Sequence, residues 1–211
     1  MASTVPPATP GTRDAAPEQA SGLRERSKAK RRALIQRTAI RLFAERGFEQ
    51  TTLADIAEEA ELAVRTVTGY FPSKLELATS FADEIAARLT TALAATPETD
   101  LVDVLDEWLV EEGKVFDREF MALTDAMWVT NPDLRALANV RLADAAKAGD
   151  AALIALVGLP ADDPTMELCL AAVQAVIGAY FISFATHTPT PERHETAIRY
   201  LRAVIDAAKQ R

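Results

Sequence analysis

After its first 17 residues this chain confines helix-breaking residues to a few short breaks, and that property restricts it to helices. Four of its 11 prolines (Pro6, Pro7, Pro10 and Pro17) lie in the N-terminal tail, and the rest stand at Pro72, Pro97, Pro132, Pro160, Pro164, Pro189 and Pro191. Proline removes a helical N–H and disfavours the helical conformation before it, so these positions read as boundaries. The intervening segments are rich in Ala, Leu, Glu and Arg, which favour helix. No stretch shows the period-two alternation of a strand. The expected fold is all-α.

The apolar spacing predicts a first helix over about 27–46, with Ile35, Ala39, Leu42 and Phe43 on one face and Gly47 as its stop. Thr51 or Thr52 caps a second helix, whose inner face is Leu53, Ile56, Ala57 and Ala60. After a short turn at Glu61-Leu62, a third helix runs over about 63–71 with Val67 and Phe71 inward, and Pro72 ends it. Ser73 caps a fourth helix reaching about Ala95. Further helices are expected near 100–117, 118–130, 133–157, 164–186 and 191–209.

The formal charge of −8 is divided unevenly. Residues 24–74 hold more Lys and Arg than Asp and Glu, whereas residues 75–211 are strongly acidic. Binding to phosphates requires local positive charge, so a basic module joined to an acidic one is compatible with nucleic acid. The densest basic run is Arg24, Arg26, Lys28, Lys30, Arg31 and Arg32, either a solvated helix start or an arm against phosphates. The chain divides into a tail (1–22, expected to be disordered), a small basic domain (23–74) and a larger helical domain (75–211).

Two short helices joined by a tight turn and preceded by a longer basic helix form a helix-turn-helix pattern. Inward Leu53, Ile56, Ala57, Leu62, Val67 and Phe71 lock the pair, leaving Ala63, Val64, Arg65, Thr66, Thr68, Gly69 and Tyr70 outward to enter a major groove. The runs Phe43-Ala44-Glu45-Arg46-Gly47-Phe48, Thr51 through Ala60, Arg65-Thr66-Val67 and Tyr70-Phe71-Pro72-Ser73-Lys74 resemble the TetR family of bacterial repressors. The resemblance covers about residues 33–77. It implies that Thr52, Tyr70 and Lys74 contact phosphates and that Arg65, Thr66 and Thr68 face the groove. Arg65 is the only cation of the recognition helix, reading a guanine or touching only phosphate. Three positions depart from the family: Glu61 where the turn usually has Gly, Ala63 where the helix cap is usually Ser or Thr, and Gly69 where a polar or basic residue is common.

The resemblance also implies a C-terminal domain that binds a small molecule and forms a two-fold dimer on a palindromic operator. Trp108, Phe120, Met121, Trp128, Gln174 and Tyr180 are candidates for a mostly apolar pocket, with Phe116, Phe181 and Phe184 adding aromatic surface; each could equally be core. Ala175, Gly178 and Ala179, with Ile198, Leu201 and Ile205, are candidates for the dimer interface, against the alternative of burial within the chain. Leu168 to Thr186 is uncharged but lacks the basic flanks of a spanning helix, so no membrane is expected. The apolar surroundings of the single cysteine, Cys169, suggest a small buried hydrophobe in a reducing cytoplasm.

Enzyme chemistry is not expected. His187 and His194 are poorly spaced for a metal, and no phosphate loop or nucleophile motif is present. Neither a metal nor a cofactor is expected. The sequence therefore points to a ligand-responsive DNA-binding regulator. Two alternatives stand beside it: a helical-bundle carrier of small molecules or lipids, and a constitutive architectural DNA-binding protein.

Overall fold

The computed structural model describes residues 15–95, 100–188 and 190–210. Its helices are α1 (Ala15–Arg46), α2 (Leu53–Glu59), α3 (Val64–Tyr70), α4 (Lys74–Ala95), α5 (Leu101–Val115), α6 (Arg118–Thr130), α7 (Pro132–Val157), α8 (Pro164–Thr186) and α9 (Pro191–Lys209). No strand occurs among the described residues. The all-α expectation holds, including the weakly marked break at residues 116–117, where the Asp117 carboxylate accepts from the Phe120 amide and caps α6.

The first helix is longer than its apolar stripe predicts. It spans 32 residues, about 48 Å, and begins at Ala15. Residues 15–22, placed in the disordered tail by composition, are therefore helical: they are mostly good helix formers, and Pro17 is tolerated in a first turn. The remainder of that tail, residues 1–14, lies outside the described residues.

Two apolar clusters hold the molecule. One joins Ile35, Ile40, Phe43, Ile56, Val67, Phe71 and Leu77 to Phe120, Met127 and Leu134. The other gathers Leu105, Trp108, Leu109, Leu153, Met166, Val173, Tyr180, Phe184, Leu201 and Ile205. The first cluster crosses the expected boundary at residue 74, because α6 packs along α1. Cys169 is buried in the second.

Candidate nucleic-acid interface and cavity

Gly47 at φ 88° ends α1, and Phe48 folds back so that its ring centroid lies 5.3 Å from that of Phe43. Thr51 is fully buried, its hydroxyl donating to the Gly47 carbonyl at 2.9 Å. This leaves Thr52 as the exposed cap of α2. The Thr52 hydroxyl accepts from the Asp55 amide (3.1 Å), while the Asp55 carboxylate accepts from the Thr52 amide (2.8 Å) and hydroxyl (2.7 Å), a capping box. These hydrogen bonds hold the Asp55 carboxyl below its ordinary range.

The turn between α2 and α3 closes as a Schellman motif. Leu62 N–H donates to the Ala57 carbonyl (2.8 Å) and Glu61 N–H to the Glu58 carbonyl (3.0 Å). Glu61 takes φ 55°, the conformation for which glycine is favoured. Leu62 packs against the core and fixes the angle of α3. Ala63 supplies no side-chain cap. Along α3, Val67 is fully buried, Arg65 and Thr68 are exposed, and Thr66 and Tyr70 are half-buried. Thr52, Arg65, Thr66, Thr68 and Tyr70 are thus all at least partly accessible on this module.

Lys74 is also half-buried, but its ammonium is engaged within the chain. It donates to the Phe48 carbonyl at 2.7 Å and lies 4.1 Å from the Phe48 ring centroid. Beside Tyr70, the N-terminal half of α1 forms a groove with Leu23, Arg24, Ser27, Lys28 and Arg31. Arg24, Lys28, Arg31 and Arg65 have no carboxylate partner among the described residues. Arg24, Lys28 and Arg31 of the basic run lie on the same side as Tyr70 because α1 is one continuous rod, a placement that local sequence patterns alone do not fix.

A cavity of about 230 Å³ lies where α1, α4, α5, α6 and α8 meet. Phe81, Phe116, Phe120, Phe181, Phe184, Ile85 and Met121 supply its apolar wall, and Gln36, Arg37, Glu84, Arg88, Glu112 and Asp117 its polar one. Of the six candidates for the pocket, only Phe120 and Met121 line it. Trp108 stands behind the wall, its ring 5.4 Å from that of Phe181. Trp128 packs into the N-terminal cluster, Gln174 is exposed and donates to Asp150, and the hydroxyl of Tyr180 bonds His194 Nδ1 at 3.1 Å. Each of these last three has its own partners away from this cavity. The charged lining was missed because it comes from α1, α4, α5 and the break before α6, whose meeting faces are set by long-range packing. Arg88 forms a fork with the buried Glu112 (2.5 and 2.8 Å), which raises the Arg88 pKa further.

The dimer candidates divide. Ala175 and Ala179 are exposed on α8 and Gly178 is half-buried, in a row with exposed Leu168, Ala171 and Ile182. Ile198, Leu201 and Ile205 are instead buried in the chain's own core, because α9 turns its apolar stripe onto α5 and α8. The outward face of α9 carries Tyr200, Ala203 and Ala207. Among the described residues, α8 is the one helix long and apolar enough to cross a membrane, with a mean hydropathy of 1.7 over 164–184.

These features define a helix-turn-helix protein in which a small basic module is built onto a larger helical bundle. Residues 35–81 match the family model of bacterial regulatory proteins, tetR family. The chain is 32% identical over 121 residues to the HTH-type transcriptional regulator TcmR of Streptomyces glaucescens, 56% of this chain and 53% of the relative. The chain therefore spans about half the length of the curated relative it matches. Among solved structures, a transcriptional regulator from Aquifex aeolicus shares the fold with a TM-score of 0.59 at 15% identity, over 82% of this chain and 99% of that one. Thermus thermophilus FadR, a TetR-family transcriptional repressor solved in complex with lauroyl-CoA, follows at 0.53 and 21%, over 82% and 93%.

Proposed function

We propose that this chain is a cytoplasmic, homodimeric repressor that binds a palindromic operator and responds to a small molecule held in the cavity. The observation that carries the reading is the α3 surface: its core residues are buried while Arg65, Thr66, Thr68 and Tyr70 are left accessible beside a basic stretch of α1. Arg65 reads a base edge; Tyr70, Thr52, Lys74 and the α1 cations meet phosphates. The 23–74 module supplies DNA contacts, and 75–211 supplies most of the cavity and the dimer surface. In the dimer, the uncharged α8 row and the outward α9 face pair with their symmetry mates, setting two recognition helices about 34 Å apart or a small multiple of this. The bound lauroyl-CoA of the Thermus protein supports a ligand-holding role for this fold.

The test is fluorescence anisotropy of the full chain on its own upstream DNA and on a scrambled duplex, at two salt concentrations. Selective, salt-sensitive binding with two chains per site is expected. Arg65→Ala should relax the preference at one base pair per half-site. Equal, weak binding to both duplexes, together with binding of apolar ligands, would favour the carrier reading.

A further inference from the structure

One carboxylate of the cavity wall is wired to the end of the recognition helix. Glu84 Oε1 accepts from Arg32 Nε (3.2 Å) and Nη2 (3.0 Å), and from Gln36 Nε2 (3.3 Å). The same guanidinium donates through Nη1 to the carbonyl of Tyr70, the last residue of α3, at 3.3 Å. It also lies 4.2 Å from the ring centroid of Phe71, which follows that helix. Arg32 thus ties the C-terminus of α3 to α4 through a group that any occupant of the cavity meets.

The wall's charges indicate what that occupant is. Two cations, Arg37 and Arg88, face three carboxylates, Glu84, Glu112 and Asp117. Both cations are engaged, Arg88 by the Glu112 fork and Arg37 by Asp117 and Glu119. Glu84 binds its donors through one oxygen, and its Oε2 accepts no hydrogen bond among the described residues. Around it stand phenylalanine rings, whose faces attract cations.

Resting on the reading of this cavity as the effector site, we propose that it takes a positively charged, largely apolar guest, that Glu84 holds the cation, and that the guest loosens the recognition helix by drawing Glu84 away from Arg32. An anionic guest finds no free cation, since Arg32, Arg37 and Arg88 are all engaged by carboxylates, and a neutral one has no means of competing with the guanidinium.

The test uses the full chain with benzyltrimethylammonium, benzyl alcohol and phenylacetate, with binding followed by calorimetry and by anisotropy on a duplex selected from random sequence. The cation should bind about tenfold more tightly than phenylacetate and lower DNA affinity by about tenfold, within the usual range of coupling between sites. Glu84→Gln should remove the preference for the cation. Glu84→Asp keeps the charge but shortens the reach to Arg32; it should retain cation binding and lose its effect on DNA, which preserves a test if the Gln variant does not fold. Arg32→Met should likewise uncouple binding from release. A cation that binds Glu84→Gln as tightly as the parent, or phenylacetate binding as well as the cation, overturns the proposal. The effector-site reading survives that outcome if Met121→Trp, which fills the cavity, blocks the probe. Should no probe bind, or should filling the cavity change nothing, the effector-site reading fails with the proposal.

Discussion

The ammonium of Lys74 donates to the backbone carbonyl of Phe48 at 2.7 Å and lies over the ring of the same residue. One side chain thereby joins the start of α4 to the turn after α1, across 26 positions of sequence. Lys74→Met should lower stability by about 1 kcal/mol, since a charged hydrogen bond and a cation–π contact are lost at a half-exposed site. The urea midpoint measures this. If the ammonium also serves a phosphate in the DNA complex, the salt slope of DNA binding should fall by about one. Tyr70→Phe should weaken binding to every sequence to a similar degree.

Glu61 holds a left-handed conformation in the turn of the helix-turn-helix. Glu61→Gly should stabilise the protein by about 1 kcal/mol, seen as a higher midpoint of thermal unfolding. A lower midpoint would show that the Glu side chain contributes more than its backbone conformation costs.

Asn131 ties the end of α1 to the end of α6. Its Nδ2 donates to the carbonyls of Phe43 (3.0 Å) and Met127 (2.8 Å), and its Oδ1 accepts from the Phe48 amide (2.7 Å). Both carbonyls also accept backbone N–H groups, from Gly47 and Asn131, so Asn131→Ala leaves only the partly buried Phe48 amide unpaired, and it should cost about 2 kcal/mol in denaturant titration.

Ala175 is exposed on the uncharged row of α8. Ala175→Arg should leave the helical circular-dichroism signal unchanged and halve the mass seen by sedimentation, because only the contact between copies receives the new charge. A dimer that survives this change does not use α8.

Burial pushes the Cys169 thiol above its ordinary range, and the residue is 3% exposed. Alkylation of the native protein should be far slower than of the denatured chain, and should accelerate only at a pH above the usual thiol range, where thiolate forms.

The helix-turn-helix was legible because its determinants are local. Ile56, Ala57, Val67 and Phe71 repeat at helical spacing, and Gly47, Thr52 and Pro72 punctuate them, so the buried face followed from the pattern. The cavity was not legible. Glu84 meets Gln36 across 48 positions, and Arg37 meets Glu119 across 82, so the relevant faces are chosen by packing between distant segments. The stripe of Ile198, Leu201 and Ile205 shows the same limit. Periodicity establishes that a helix has an apolar face, but not whether the chain itself or a second copy covers it. The N-terminus differs for another reason: a Pro-, Ala- and Ser-rich composition reads as tail, although residues from Ala15 continue the helix that follows.

The α1 rod has a bearing on protein engineering. Ala33, Gln36 and Arg37 belong by sequence to the basic module, yet they form one side of the cavity. Exchanging residues 1–74 for those of another regulator, a common way to graft a new operator preference onto an existing sensor, would also replace that side of the cavity. A chimera made at this boundary inherits a hybrid pocket. A seam that preserves the sensor must keep these three α1 positions and transplant only the α2–α3 surface.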